Sequence, residues 1–370
     1  MKLQNKKTIT NILLALLLLS IIFISTLFSL TKIKTKLQAD TVKSLQTIVQ
    51  TTQEILEIWI RLRKIELTGT ATHPEILELA KQLNKNHNDR KDIEQSEALK
   101  KLRFIMQKNL NRYSDNGFIL INTNRINIAS MRDENLNDLN LLYQQRQDFL
   151  DRVFAGETLF IPTTHSDVPL KTKNGQYREG LPTLFIATPI QDTSKNIIAV
   201  LAIRLDPSKD FTRIMQLGRL GDSGETYAFD SKATLISESR FDYQLQDVGL
   251  IQKNDQGILS IRITDPEINL LEGHSSLIPE NKRNLTLMAK SALAKLTSHN
   301  SEGYRDYRGV PVIGAWTWNS ELEIGITTEI NLDEAILPYK QIRFAIISLT
   351  LLSISLCIGF IYFLRWRNRF

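Results

Sequence analysis

Cysteine is almost missing from this 370-residue chain: the single one, Cys357, falls inside an apolar run near the C-terminus. The large polar middle therefore has no disulfide to rely on, and its folding must come from a buried core, which a segment of this length can build. Histidine is also sparse. His73, His87, His165, His274 and His299 show no metal-ligand spacing. There is no glycine-rich phosphate loop, no nucleophile elbow and no cysteine nucleophile outside the apolar run. Adjacent acids such as Asp133-Glu134 and Asp333-Glu334 fall at turn or helix-cap positions. These absences speak against an enzyme and give no reason to expect a cofactor or a metal.

Two stretches lack charge altogether. Residues 9–30 and 344–364 contain no Asp, Glu, Lys or Arg. Each is long enough to cross a hydrocarbon layer of roughly 30 Å as a helix. The first is longer than a signal-peptide core, and Thr31-Lys32-Ile33-Lys34 offers no small-residue cleavage site, so a retained anchor is expected. Lys2, Lys6 and Lys7 precede the first run, and Arg365, Arg367 and Arg369 follow the second. The positive-inside rule then places both tails in the cytoplasm and the middle outside, in a bacterial inner membrane. Setting aside those six cations, the formal charge of +6 vanishes, leaving 40 basic against 40 acidic residues. The basic pI reports membrane orientation, and a nucleic-acid surface is excluded.

The pattern between the anchors is α+β. A helix is expected to continue outward from residue 32 to about 69. Leu45, Ile48, Thr52, Ile55, Trp59 and Leu62 recur on it with heptad-like spacing, which suits a face covering the chain's own sheets or a homodimer seam. Thr72-His73-Pro74-Glu75 reads as a capping box opening the next helix. A further helix is expected over 92–113. After residue 117 the period becomes extended: strands over 118–122 and 126–130, a long polar loop over 162–182, then a hairpin of 183–191 and 197–205. A helix over 208–217 leads to a second series. It comprises strands at 225–230, 234–240, 258–264, 304–308, 310–318 and 323–330, with a helix over 287–296. Asn331 to Glu334 caps a helix that can run through Pro338, with a kink, into the second apolar run. The similar order of the two series suggests a tandem of related folds.

Several segments resemble the double Cache sensor domains of bacterial signalling receptors. They are INIASMRDE (126–134), FAGE (154–157), IAVLAIRLD (198–206), LGDSGETYAFD (220–230), SESRF (237–241), GYRDYRGVPV (303–312) and Gly314-Ala315-Trp316. The resemblance implies two PAS-like modules with antiparallel sheets behind a long N-terminal helix, flanked by two transmembrane helices. The expected divisions are tails at 1–8 and 365–370, a first span at 9–30, a second span with its lead-in at 338–364, a helical stalk at 31–113, a membrane-distal module at 114–207 and a membrane-proximal module at 208–337. In such receptors the distal module binds a small molecule and signals through the second span. Amino-acid sensors place an acid where this chain has Arg204. An arginine there suits a carboxylate or another anion, because its planar fork accepts two oxygens. Arg132, Asp133 and Thr188 complete the distal candidates. Tyr227, Asp230, Arg240 and Trp316 are the proximal ones.

The expected partners are thus an anionic small molecule, the membrane, a second copy of the chain through the N-terminal helix, and a cytoplasmic or membrane effector. The chain stops six residues after Leu364 without an output domain. That suits either a separate effector or the sensory half of a split or truncated histidine kinase, cyclase or Ser/Thr kinase receptor. A polysaccharide chain-length regulator, also two-span with an external α/β domain, is the alternative from another class.

Overall fold

The computed structural model describes residues 2–85, 89–110, 117–172, 175–273 and 275–367. The expected positions His87, His274 and Arg369, and the end of the 92–113 helix, lie outside those residues. Side chains of the tail cations likewise fall outside.

One helix, α1 (Lys2–Ala71), combines anchor and stalk. Its buried stripe is Val42, Leu45, Val49, Thr52, Leu56, Ile60, Arg63 and Leu67. That stripe is rotated from the expected one: Ile48, Ile55 and Trp59 are only half-buried, and Leu62 is exposed. Both sides of the helix carry apolar residues at period 3.6, so spacing alone did not separate them. The helix α2 (Pro74–Lys85) starts at Pro74. The cap is His73, whose Nδ1 accepts from Glu75 N at 3.3 Å, while Thr72 Oγ1 donates back to Thr68 O, so the expected capping box does not form. The next helix is divided at Ser96 into α3 (Arg90–Gln95) and α4 (Glu97–Leu110).

The distal module follows with β1 (Gly117–Asn122), β2 (Asn127–Ser130), α5 (Leu141–Gln145), α6 (Gln147–Phe154), β3 (Leu159–His165), a small hairpin of β4 (Leu170–Lys171) and β5 (Tyr177–Arg178), then β6 (Pro182–Gln191) and β7 (Ile197–Leu205). Its five strands are antiparallel in the order β2-β1-β7-β6-β3. The expected loop over 162–182 is partly strand. β3 runs through Pro162, and the β3–β6 register slips between Ile161 and Thr164, where proline has no N–H for the ladder.

The proximal module has α7 (Asp210–Gln216), β8 (Glu225–Asp230), α8 (Asp242–Asp247), α9 (Leu287–Leu293), β9 (Ser298–Arg305), β10 (Pro311–Asn319) and β11 (Ile324–Asn331). Its sheet order is β8-β11-β10-β9. This matches β1-β7-β6-β3 strand for strand. The place of β2 is taken by isolated bridges from Leu235 to Phe229 and from Thr234 to Arg262, so the strands expected at 234–240 and 258–264 do not form as ladders. Leu259, with φ 62°, breaks the alternation there. A short α10 (Leu332–Ala335) is followed by α11 (Leu337–Arg367). Helix α11 restarts so that Pro338 sits in its first turn, where a missing N–H costs nothing, and no kink is needed.

The two sheets stack along α1. Its lower part packs Leu45 and Val49 on Ile313, Ala315 and Ile330 of the proximal sheet. Its upper part packs Leu56, Ile60 and Leu67 into the core of the distal module. Polar bridges fasten the modules together: Arg146 to Asp230 at 3.1 Å, Arg152 to Glu323 at 3.2 Å, Arg178 to Asp255 at 2.6 Å and Thr163 Oγ1 to Ile236 O at 2.8 Å. Beyond the modules, α1 and α11 each carry a stretch long and apolar enough to cross a membrane, with large apolar side chains facing outward. They meet where Thr26 Oγ1 lies 3.1 Å from Thr350 Oγ1.

Candidate functional site

Alternation along β7 decides which distal side chains can meet. Leu201, Ile203 and Leu205 point into the core shared with α1, whereas Val200 and Ala202 join the opposite cluster under α5 and α6. Arg204 belongs to this second face and is 2% exposed. Its Nη1 donates to Ser166 Oγ and its Nη2 to Asp167 Oδ1, each at 2.6 Å, and its guanidinium lies over the Phe185 ring at 5.1 Å. Asp167 Oδ2 accepts from Asn135 Nδ2 at 2.9 Å. Asn135 is itself held by Asn127, whose Nδ2 donates to its carbonyl, and Asn140 Nδ2 donates to Asn127 Oδ1 at 2.6 Å. Among the described residues, Asn135 Oδ1 is buried with no hydrogen-bond partner.

Arg132 approaches the same place. Gly117 pairs with Arg204 across β1 and β7, and a Cβ on Gly117 would stand 3.1 Å from Arg132 Nη1 and 3.0 Å from Met131 Cβ. With φ at 127°, that position is glycine's for conformational as well as spatial reasons. Burial, and then the neighbouring charge of Arg204, lower the proton affinity of Arg132. Burial also lowers that of Arg204, against the opposing pull of Asp167. Two guanidinium groups thus share a partly desolvated corner in which Asp167 is in contact with Arg204, while the charges of Glu134 and Asp167 act on Arg132.

The other two distal candidates lie elsewhere. Thr188 is on the α1 face of β6, where its hydroxyl is 2.7 Å from Thr158 Oγ1 and 3.4 Å from Thr68 Oγ1. It cannot share a pocket with Arg204. Asp133 turns outward, its carboxylate taking Arg103 Nη2 at 2.6 Å with its side chain 58% exposed. The residues that sequence reasoning missed are Ser166, Asp167 and Asn135. They sit in polar connections, and no spacing links them to β7.

The equivalent face of the proximal sheet is more densely polar. Glu329 is opposite Glu225 across β11 and β8, the register position that Arg204 and Gly117 hold in the distal sheet. Tyr227 donates to Glu329 Oε2 at 2.9 Å and Tyr304 to Oε1 at 2.6 Å. Glu225 accepts from Tyr307 at 2.8 Å, Ser239 at 2.8 Å and Arg240 N at 2.7 Å. Arg308 is clamped by Asp306 at 2.6 Å and lies over Phe241 at 3.6 Å. Of the proximal candidates, Tyr227 and Trp316 belong to this cluster. Trp316 packs edge-on against Tyr304, and its buried Nε1 has no hydrogen-bond partner among the described residues. Arg240 contributes its backbone N–H, while its side chain donates to Gly224 O at 2.7 Å. Asp230 faces away, capping the turn at Lys232 and Thr234 and pairing with Arg146.

Between the modules lies an open cleft of about 840 Å³. Its walls include Lys171 and Arg178 from the small hairpin, Asp206 and Lys209 from the connection, and Asp242 and Asp255 from the proximal module. Among the described residues no group of three or more His, Cys, Asp or Glu is placed to hold a metal ion.

The class is the one expected from the sequence: α+β, with two tandem PAS-like antiparallel modules on a long N-terminal helix and two flanking apolar helices. Among solved structures the chain is similar to the ligand-binding domain of the Campylobacter jejuni chemoreceptor Tlp3 in complex with 4-methylisoleucine. Identity there is 13%, over 82% of this chain and 95% of that one, with a TM-score of 0.44. It is also similar to the sensor domain of the V. cholerae histidine kinase DctB (13%, 80% and 98%, TM-score 0.46). A third similar structure is the ligand-binding domain of the Pseudomonas aeruginosa chemoreceptor PctB with L-Arg (11%, 81% and 98%, TM-score 0.45). No family model and no curated protein matches the sequence.

Proposed function

We propose that the chain is a membrane-anchored extracytoplasmic sensor that binds a small anionic metabolite in its distal module and passes the signal through α11 to an effector protein. The observation that carries this reading is the pair of Arg204, buried over Phe185, and the half-buried Arg132, whose Nη1 lies beside Gly117 on the strand that pairs with Arg204. The buried Asn135 Oδ1 supports it by offering an acceptor to a hydroxyl or amide on the same ligand. The bound anion would compete with Asp167 for Arg204. Because Asp167 roots the β4–β5 hairpin, and Arg178 of that hairpin pairs with Asp255, displacement of Asp167 would loosen a bridge between the modules. Ligand binding then shifts a conformational population, which reaches α11 through α1 and β11. Both termini lie in the cytoplasm in this reading, by the positive-inside rule.

A thermal-shift screen of the full chain in nanodiscs against organic acids, amino acids, amines and sugars tests it. Binding to the folded state raises the melting temperature by mass action. Di- and monocarboxylates should stabilise the protein, and Arg204→Gln should remove the effect. If only cationic amines or neutral sugars shift the transition, the anion site is wrong.

A further inference from the structure

Three carboxyl groups and one guanidinium are closed into the core of the proximal module. Glu225, Glu329 and Asp306 are each no more than 4% exposed, and so is Arg308. Arg308 is taken by Asp306, with further bonds to Gln244 at 2.8 Å and Asn331 at 3.3 Å. Glu225 has a backbone N–H and two hydroxyls. Glu329 is left with two neutral phenols as its hydrogen-bond donors. We propose that Glu329 is a proton-binding site of the membrane-proximal module, and that loading or unloading this proton moves the strand end that feeds α11.

The groups facing it come from every neighbouring strand. They are Glu225 and Tyr227 from β8, Tyr304 from β9, Trp316 from β10, and Asp306, Tyr307 and Arg308 from the β9–β10 turn. Helix α8 adds the Gln244 amide oxygen, which accepts from Arg308, and apolar cover through Leu245, and α9 adds apolar cover through Met288, Ala289 and Ala292. Burial, followed by the charges of Asp306 and Glu225, pushes Glu329 up to about 8, although the two phenol hydrogen bonds pull the other way. Tyr227 and Tyr304 are driven well above the usual phenol range, by burial first and Glu329 next, and stay neutral throughout. When Glu329 is ionised, both phenols donate to it. When it is protonated, one bond must reverse so that the acid O–H donates to a phenol oxygen. The proton exchanges with solvent, and the phenol whose bond reverses must turn its own O–H away from Glu329.

The output path begins two residues away. Asn331 receives Arg308, its N–H donates to Ser223 Oγ at 3.1 Å, and Glu334 accepts from Asp222 N, Ser223 N and the Ser223 hydroxyl. Helix α11 starts at Leu337. A change in the Glu329 bonds therefore acts on a strand whose end is tied to both the 220–224 loop and the membrane helix. This differs from the distal anion reading, and its test uses no ligand.

Infrared difference spectra of the full chain between pH 6 and pH 10 provide the readout. A buried carboxylic-acid C=O band should disappear with a midpoint near pH 8. It should be absent in Glu329→Gln and retained in Glu225→Gln. In a Cys357→Ser background, Thr26→Cys with Thr350→Cys reports the packing of α1 on α11. The thiolate fraction rises with pH in any background, so the disulfide yield is read as a ratio to the same cysteine pair in Glu329→Gln at each pH, and this ratio should change at least twofold between pH 7 and pH 9. A band that survives in Glu329→Gln, a wild-type chain with no such band, or a crosslinking ratio that stays constant with pH would each overturn the proposal.

Discussion

Arg204 illustrates what a single charged side chain costs inside an apolar strand. Its guanidinium is taken out of water, and only the Ser166 and Asp167 contacts and the Phe185 face offset that loss. Replacement by alanine should destabilise the protein by roughly 2–4 kcal/mol, since it leaves Asp167 and Ser166 without their partner, and should abolish anion binding. Thr188→Val should cost about 1 kcal/mol through the lost threonine contacts and leave ligand affinity unchanged. Equal loss of binding in both variants, measured by calorimetry on refolded protein, would place the ligand on the α1 face instead. Arg204 was legible in the sequence because it interrupts the apolar run 197–205. Glu329 lies in the mixed strand 324–330 among Gly325, Thr327 and Thr328, and carries no signal until the sheet register sets it at the position that Arg204 holds in the distal sheet. Asp167 had no sequence signal, because a loop 37 residues upstream delivers it. Asp133 adjoins Arg132 along the chain and Thr188 stands mid-strand among apolar residues, but an outward turn and the opposite strand face send them elsewhere.

At the level of elements, α1 presents two apolar stripes with different fates. Leu56 is fully buried in the module core, whereas Ile58, Leu62 and Ile65 are 51%, 61% and 63% exposed. Leu56→Ala should cost about 2–5 kcal/mol. Leu62→Lys should leave the melting temperature within a degree or two. If the exposed stripe is the homodimer seam that the heptad-like spacing suits, Leu62→Lys should also halve the mass seen by light scattering. An unchanged mass would show that this stripe is not the seam. The existence of α1, of both hairpins and of the tandem sheets could be read from periodicity. Register and edges could not. The spacing at 258–264 alternates like a strand, but the left-handed Leu259 and the local turn bonds prevent a ladder. Pro162 lies in a strand because a register slip accommodates it, which depends on the partner strand and not on the local sequence.

Across the whole molecule, opposite charges occupy one register position in two related sheets: a cation in the distal module and a carboxyl in the proximal one. Stability should follow the proximal carboxyl. Its folded value of about 8 lies above the ordinary 4.5, so the folded state holds the extra proton between those values. Stability is then highest at the acid side of that window, falls as pH rises towards 8, and levels off above it. Melting curves of Glu329→Gln should lack that component, and a wild-type transition that instead climbs between pH 6 and pH 8 would contradict it. The distal site makes the complementary demand that an anion, once bound, be felt along the chain.

Hydrogen–deuterium exchange on the full chain in nanodiscs, with and without the most stabilising organic acid of the screen, addresses this directly. Slowed exchange should appear at residues 117–122, 127–132 and 197–206, accompanied by altered exchange in the hairpin around 166–178 and at 329–337. Protection confined to the proximal module, or to the stalk alone, would contradict a distal anion sensor that signals through α11.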